Sequence, residues 1–131
     1  MSLDSLRPEL RWAIEAAQNK QALDVTVLDL KDLGAFAEYF VLCTGTSDPQ
    51  MQAICREVEE HLDRHGVRLA HREGRTGSDW VLLDYGSFVV HIFSTRARLF
   101  YDLERLWRAA RRFDVPPPGS ATLPSPEAAR Q

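Results

Sequence analysis

Two apolar segments joined by Tyr85-Gly86 place the strongest restriction on the fold of this chain. Residues 79–84 and 87–94 are rich in leucine, aromatic and β-branched side chains, and the short turn between them predicts a hairpin of two strands. Successive side chains of a strand point to opposite faces of the sheet, and here apolar residues occupy both sets of positions. The hairpin therefore has too much apolar surface for a sheet with one face in water.

The alternation of side chains divides this hairpin into two faces. With the tip at Tyr85-Gly86, Leu83 is expected opposite Phe88. Val81 and Val90 extend the same face, which is wholly apolar and typical of core. The other face mixes apolar and ionisable side chains, namely Trp80, Leu82, Asp84, Val89, His91 and Phe93. Either this face binds a protein partner, or a helix of the same chain covers it and His91 is hydrogen-bonded to Asp84 or to the backbone.

The remaining hydrophobic patterns predict a mixed α/β fold. A nearly all-apolar run at 39–44 is typical of a central strand covered on both faces. The predicted helices are 5–20, a second from Ser47 or Asp48 to about His65, and 99–112, and the predicted strands are 25–30, 39–44, 67–71, 79–84 and 87–94. In the last helix the residues expected to face inward are Leu99, Leu103, Leu106, Trp107 and Ala110. Together these elements predict a mixed sheet of about five strands with packed helices.

The 131 residues are enough for one domain and its ends. We predict that the domain spans residues 1–113. Three consecutive prolines, Pro116 to Pro118, exclude a helix beyond it, and the residues that follow have few large apolar groups to bury. Residues 114–131 are therefore predicted to form a disordered, proline-rich tail.

Charge and cysteine content restrict the partners and the compartment. A net charge of −3 argues against a protein that holds nucleic acid by its overall charge. Cys43 and Cys55 are expected to be buried thiols, not a disulfide or zinc ligands. The sequence has neither a recognisable targeting signal nor an apolar run of membrane-spanning length. We therefore expect a cytoplasmic protein.

No catalytic or metal-binding motif is complete. The turn Gly45-Thr46-Ser47 could hold a phosphate at a helix N-terminus, although a glycine required by the turn explains it equally well. Asp29 and Asp84 each lie near a strand end, and neither has a second acid two residues later, as a magnesium-dependent nucleotidyltransferase would need. His61 and His65 have a metal-ligand spacing but are better explained as helix-end histidines. We expect no catalytic residue, metal or cofactor.

The predicted last helix carries a basic stripe. Tyr101, Arg105, Arg108 and Arg112 would project from one face of a helix over 99–112, opposite its leucines. Such a stripe is either a solvated face or a surface that contacts RNA phosphate, and the second interpretation predicts salt-sensitive binding.

Several of these motifs occur together in one known family. The segments that carry the resemblance are Ala22-Leu23-Asp24-Val25, Ala37-Glu38-Tyr39-Phe40-Val41-Leu42-Cys43-Thr44-Gly45-Thr46-Ser47, Asp79-Trp80-Val81-Leu82-Leu83-Asp84-Tyr85-Gly86, Val89-Val90-His91-Ile92-Phe93 and Tyr101-Asp102-Leu103-Glu104-Arg105-Leu106-Trp107. In this order, over about residues 5–112, they resemble the ribosomal silencing factor family, also called RsfS or Iojap.

This resemblance implies a nucleotidyltransferase-like α/β fold without the catalytic acids. It implies a translational repressor that binds the large ribosomal subunit at ribosomal protein L-fourteen and sterically blocks joining of the small subunit when nutrients are scarce. Homodimers are also implied. The family's partner-binding Trp falls on Trp80, and the other expected contacts are Asp84, Tyr85, His91, Phe93 and Tyr101. The competing hypothesis is a nucleotidyltransferase-like enzyme that binds a nucleotide phosphate at Gly45-Thr46-Ser47.

Overall fold

The computed structural model of the protein describes residues 1–119. A single 3-10 turn at Leu3–Ser5 precedes the first helix. The helices are α1 (Pro8–Asn19), α2 (Asp48–Arg64), α3 (Thr95–Tyr101) and α4 (Leu103–Leu106). The strands are β1 (Leu23–Asp29), β2 (Tyr39–Gly45), β3 (His71–Glu73), β4 (Trp80–Asp84), β5 (Phe88–Ser94) and β6 (Arg111–Asp114). Over the described residues, no helix combines the length and the apolar character that crossing a membrane requires.

The strands form one mixed sheet in the order β3-β4-β5-β2-β1-β6. The two middle strands, β2 and β5, run parallel, and every other neighbouring pair is antiparallel. β2 is central and almost completely buried, as its apolar sequence predicts. The mixed α/β fold is thus confirmed, with six strands where about five were expected.

Helices α1 and α2 cover one face of the sheet. The apolar stripe of α2 packs inward along its whole length, from Met51 to Leu62. This helix begins after Ser47, whose hydroxyl accepts a hydrogen bond from the Gln50 backbone N–H at 3.2 Å. It ends before Gly66, which has a φ of 78° that disfavours other residues. Both ends of α2 therefore follow from local sequence signals.

The two cysteines lie in this helix-covered layer, as predicted. Cys43 and Cys55 are buried and free. Burial raises the pKa of Cys43 to about 12 and that of Cys55 to about 11. Both side chains therefore stay as neutral thiols at physiological pH and behave as small apolar groups.

The third strand begins later than predicted. It spans His71–Glu73, not residues 67–71. The Val67 N–H donates to the carbonyl of Leu62 at 2.9 Å, so this residue still belongs to the end of α2. Val67 and Leu69 pack partly buried against the core, and pairing with β4 starts at His71.

The predicted helix over 99–112 is wrong. It breaks at Asp102, which adopts left-handed backbone angles (φ 47°, ψ 57°), and the chain then forms only the short α4. Leu103 is buried as expected, but Leu99 and Leu106 are 76% and 70% exposed. Residues 111–114 pair instead with β1, which would otherwise leave its backbone groups unpaired at the edge of the sheet.

The ordered chain also continues beyond the predicted domain end at Phe113. Asp114 lies in β6 opposite Thr26, whose hydroxyl donates to the Asp114 carboxylate at 3.0 Å. The Val115 N–H donates to the carbonyl of Val25 at 2.8 Å, and the Val115 side chain is buried. The start of the predicted tail is therefore part of the fold, whereas its residues 120–131 lie outside the described residues.

Truncation tests the contribution of this segment. A chain ended after Phe113 is expected to unfold with a free energy roughly 2–4 kcal/mol lower than a chain ended after Gly119, because it loses the buried Val115 side chain and two interstrand contacts. A third chain that ends after Val115 keeps both interstrand contacts and should recover most of this loss, short of the contribution of the Gln18 side-chain amide, which donates to the Pro116 carbonyl at 3.0 Å. Urea unfolding of the three chains gives the comparison, and equal midpoints would contradict the role of Asp114 and Val115.

Candidate functional site

The second face of the sheet carries the candidate site. Its buried apolar cluster consists of Leu28, Leu30, Leu42, Phe93, Ala97 and Leu103, so α3 and α4 cover part of it. In the hairpin, Leu83 pairs with Val90 and not with Phe88, which shifts the predicted register. The shift leaves the predicted faces unchanged, because moving a partner by two residues preserves the alternation. Trp80 lies opposite Phe93, and Leu82 lies opposite His91.

Aromatic rings gather at the edge of this face. The Trp80 ring centroid lies 4.7 Å from that of Tyr101 and 5.0 Å from that of Phe93. The Trp80 indole N–H donates to Nδ1 of His91 at 3.0 Å. Phe40 meets the His91 ring edge-on at 4.5 Å. The aromatic cluster, as we call it, consists of Phe40, Trp80, His91, Phe93, Tyr101 and Trp107, the last of which lies 6.0 Å from Phe40.

His91 orients the Trp80 side chain. An indole N–H can only donate, so Nδ1 of His91 is the acceptor and its proton lies on Nε2. The imidazole is 3% exposed, and burial lowers the pKa of His91 to about 3. His91 is therefore neutral at physiological pH. The alternative hydrogen bond between His91 and Asp84 is not formed: Nδ1 of His91 accepts from Trp80, and the Asp84 carboxylate accepts the Gly86 N–H at 2.8 Å.

The buried neutral imidazole makes folding sensitive to acid. The pKa of His91 falls from the usual 6.5 to about 3 on folding, so the unfolded chain binds more protons between these values. The contribution of His91 to the free energy of unfolding is therefore fully present above about pH 6.5. As the pH falls below this value, that contribution decreases by at most about 1.4 kcal/mol per pH unit. Urea unfolding at several pH values checks this. His91→Gln, whose amide can still accept from Trp80, should have a shallower dependence, and an equal dependence would contradict it.

Two predicted contact residues lie away from the aromatic cluster. Asp84 shares its face but sits at the far end of β4, where its carboxylate closes the hairpin turn. Tyr85 lies on the opposite face, in the core that α1 and α2 cover, and its ring stacks on Phe88 at 5.0 Å. Of the expected contacts, the structure thus brings together Trp80, His91, Phe93 and Tyr101.

The predicted arginine stripe does not exist as one helix face. Arg105 is exposed in α4, and Arg108 is exposed in the turn that follows. Arg112 lies in β6, where its Nε donates to the Asp114 carboxylate at 2.9 Å. Only Arg105 and Arg108 therefore share a surface.

Exposed apolar side chains border the aromatic cluster, and most were not anticipated. Leu99 and Phe100 are 76% and 77% exposed, although Leu99 was expected to face inward. The apolar patch consists of Leu99, Phe100, Tyr101 and Leu106, which line an open depression of about 670 Å³ together with Arg105 and Arg108. The sequence contained one signal for it, because three large apolar residues in a row on a short helix cannot all face the sheet.

The Gly45-Thr46-Ser47 turn is filled by its own chain. The Thr46 N–H donates to the Gln50 side-chain oxygen at 2.6 Å, and Asp48 adds a negative charge in the first turn of α2. A phosphate would meet that carboxylate and an already satisfied backbone donor. Gly45 itself is needed for packing, since a Cβ there would lie 2.8 Å from Cγ of Met51.

The candidate catalytic acids lie at the wrong edge of the sheet for this turn. Asp29 pairs with Tyr39 and Asp84 pairs with Val89, both at the amino ends of the parallel strands. Gly45 is at the carboxyl end of β2, roughly 20 Å away for a strand of this length. The geometry therefore does not assemble a phosphate turn and acids into one site.

The two helix-end histidines have protein partners. His61 Nε2 lies 2.9 Å from the Glu15 carboxylate, and the His65 ring stacks on Trp12 at 3.8 Å. Within residues 1–119, no group of three or more His, Cys, Asp or Glu side chains is placed to hold a metal ion.

Comparison with known proteins agrees with the resemblance. A family model described as "Ribosomal silencing factor during starvation" matches residues 3–131. This chain belongs to the ribosomal silencing factor family. Among RsfS proteins, that of Bacillus subtilis is 40% identical over 106 residues, which is 81% of this chain and 90% of the relative. The chloroplastic Iojap protein of Arabidopsis thaliana is 30% identical over 117 residues, 87% of this chain and 49% of that protein.

Solved structures share the fold of this RsfS-family chain. A protein from Chromobacterium violaceum has a TM-score of 0.74 at 29% identity, and the match covers 91% of this chain and 98% of that one. A protein from Bacillus halodurans has a TM-score of 0.71 at 33% identity, covering 81% and 96%. The overall fold thus recurs in proteins of similar sequence.

Proposed function

We propose that this protein represses translation by binding the large ribosomal subunit through the aromatic cluster and the adjacent apolar patch. The contact is with ribosomal protein L-fourteen, and the bound protein sterically prevents the small subunit from joining when nutrients are limited. Membership of the ribosomal silencing factor family supports a role in silencing the ribosome.

The fixed orientation of the Trp80 ring supports the aromatic cluster as the binding surface. Trp80 is half-buried, and its indole is fixed by the hydrogen bond to His91 and by contact with Phe93 and Tyr101. Aromatic and arginine side chains are enriched at the centres of protein interfaces, and a ring that is already fixed loses little freedom on binding. The apolar patch beside it extends the same surface with side chains that gain from leaving water.

The mechanism needs affinity and bulk, and we infer that it needs no catalysis. A protein bound on the joining surface of the large subunit competes with the small subunit for space. We also propose that the protein acts in the cytoplasm, and the homodimer implied by the family stays a prediction.

Co-sedimentation tests the proposal. Purified protein is centrifuged with isolated large subunits, isolated small subunits and joined ribosomes. We expect it with large subunits, at background levels with small subunits, and depleted from joined ribosomes. Adding it before small subunits should lower the yield of joined particles, whereas adding it afterwards should not. Equal recovery on all three particles would overturn steric exclusion.

Charge reversal asks whether RNA contributes to this binding. If Arg105 and Arg108 contact ribosomal RNA phosphate, Arg105→Glu/Arg108→Glu should bind large subunits more weakly and with a shallower salt dependence, because fewer counterions are released. Each lost phosphate contact should reduce the slope of log affinity against log salt by about 0.7–0.9. The variant Arg68→Glu/Arg75→Glu changes the same net charge outside the patch and serves as the control. Identical slopes in all three proteins would mean that no RNA is contacted at this patch.

A further inference from the structure

Tyr85 presents a buried polar group that the proposed ribosome contact does not use. The residue is 9% exposed, and its ring is held nearly parallel to Phe88, with centroids 5.0 Å apart and an interplanar angle of 10°. Its buried hydroxyl forms no hydrogen bond with any described residue. Buried hydroxyl groups normally have a hydrogen-bond partner, because a polar group that is buried without a hydrogen bond lowers the stability of the fold.

Tyr85 borders a small acidic recess on the helix-covered side of the sheet. The recess has a volume of about 260 Å³ and is lined by Glu59, Glu60, Asp63, Val67, Leu69 and Tyr85. Glu59 is paired with Arg72 at 2.7 Å. The side chains of Glu60 and Asp63 have no ion-pair partner among residues 1–119 and lie at the exposed rim. Burial raises the pKa of Tyr85, and the negative charges of Glu59 and Asp63 raise it further.

We propose that this recess, the Tyr85 recess, binds one lysine or arginine side chain of a basic protein segment. Its volume lies below the range typical of small-molecule pockets and suits a single side chain. Val67 and Leu69 offer apolar walls for the methylene groups of such a side chain, and the carboxylates pair with its charge. The Tyr85 oxygen accepts a hydrogen bond from the ammonium or guanidinium group. A nucleic-acid backbone would be repelled by the same carboxylates.

This inference goes beyond the proposed function. Tyr85 and the aromatic cluster lie on opposite faces of the sheet, so the two surfaces can bind different segments. The partner of the Tyr85 recess is therefore any protein segment with a suitable basic side chain, and it need not belong to the ribosome. A result at one surface does not decide the other.

Peptide titration followed by NMR tests the recess. The probes are a terminally blocked tri-lysine peptide, a tri-arginine peptide and a tri-glutamate peptide. We expect saturable shifts at Val67, Leu69 and Tyr85 with a basic peptide and none with tri-glutamate. Glu60→Gln/Asp63→Asn should weaken binding about tenfold, and Asp32→Asn/Glu57→Gln, which removes the same charge elsewhere, should not. If both variants lose the same affinity for the basic peptide, binding depends only on the overall charge of the protein, and the proposal is overturned.

Tyr85→Phe separates a binding role from a structural one. The variant keeps the ring stacked on Phe88 and removes only the unpaired hydroxyl. Its melting temperature should be unchanged or higher, while its affinity for the basic peptide falls several-fold. A lower melting temperature, or an unchanged affinity, would overturn the assignment.

Discussion

Replacing Trp80 with alanine is expected to lower the affinity for large ribosomal subunits about thirtyfold or more, which corresponds to roughly 2 kcal/mol or more for a central interface tryptophan. The physical reason is the position of the ring. Trp80 is half-buried between Phe93 and Tyr101 and is fixed by His91, so its remaining surface is presented to a partner in one orientation. Its removal also leaves Tyr101 without the ring that it packs against.

The same substitution should cost stability. Without the indole N–H, the buried Nδ1 of His91 has no donor, which costs roughly 1–3 kcal/mol. Binding is therefore measured by co-sedimentation well below the melting temperature, with the folded fraction determined in parallel. Trp80→Phe keeps most of the ring but lacks the N–H, and should lose less affinity than the alanine variant.

Trp12→Ala is the matched control for this experiment. Trp12 lies on α1 and stacks on His65, away from the aromatic cluster, so its loss should leave ribosome binding unchanged. If the folded fraction of Trp80→Ala binds as well as the unmodified chain, or if Trp12→Ala loses as much affinity, the aromatic cluster is not the binding surface.

Alternation along a strand made much of the candidate site predictable. Because the side-chain period is two residues, His91 and Phe93 had to share a face, and Trp80 joins them in any register that differs from the predicted one by an even number of residues, as the observed register does. The same rule places Tyr85 with Val81 and Leu83, which is where the structure has it. The expectation that Tyr85 joins Trp80 came from the family resemblance and ran against this periodicity.

The break at Asp102 and the strand after it were not predictable in the same way. Residues 99–112 satisfy a helical pattern locally, and the alternative depends on the open edge of β1, more than eighty residues earlier in the chain. Tertiary pairing therefore overrides local periodicity there. The two short helices leave Leu99 and Leu106 exposed, and both belong to the apolar patch.

The break also brings Arg98 and Glu104 together in a part-buried ion pair at the carboxyl end of β2. Arg98 donates to the Glu104 carboxylate at 2.7 Å and to the hydroxyls of Thr44 and Thr26 at 3.1 and 3.2 Å. The side chains of the ion pair are only 10% and 14% exposed. The helical pattern over residues 99–112 gives no signal for this pair, because it does not predict the break at Asp102 that lies between the two residues.

Arg98→Met is expected to lower the free energy of unfolding by about 3–5 kcal/mol, because it leaves the Glu104 carboxylate buried without its partner. That is a large share of the total stability of a small domain, which is typically about 5–15 kcal/mol. Arg96→Met is the matched control, since Arg96 pairs with Asp79 at the same 2.7 Å but is 81% exposed, and a surface pair contributes about 0–1 kcal/mol. Arg98→Met/Glu104→Leu should recover part of the loss, because neither charge is then buried alone. Urea unfolding of the four proteins gives the comparison, and equal losses for Arg98→Met and Arg96→Met would show that burial adds nothing to this pair.

The pH dependence of the same variants identifies the source of the effect. Burial raises the pKa of Glu104, but the hydrogen bond and charge of Arg98 more than offset it, so the net pKa lies below the usual value. A carboxyl whose pKa falls on folding stabilises the protein above its unfolded pKa, near 4.3 for glutamate, and that contribution is lost as the pH falls through the folded value. The unmodified protein should therefore lose this stabilisation progressively as the pH falls below about 4.3. In Arg98→Met the same carboxyl is buried without a cation, its pKa should rise, and acidification should relieve part of the destabilisation. The difference in stability between the two proteins should thus shrink as the pH falls, and a constant difference would mean that Arg98 acts by packing alone and not through the charge of Glu104.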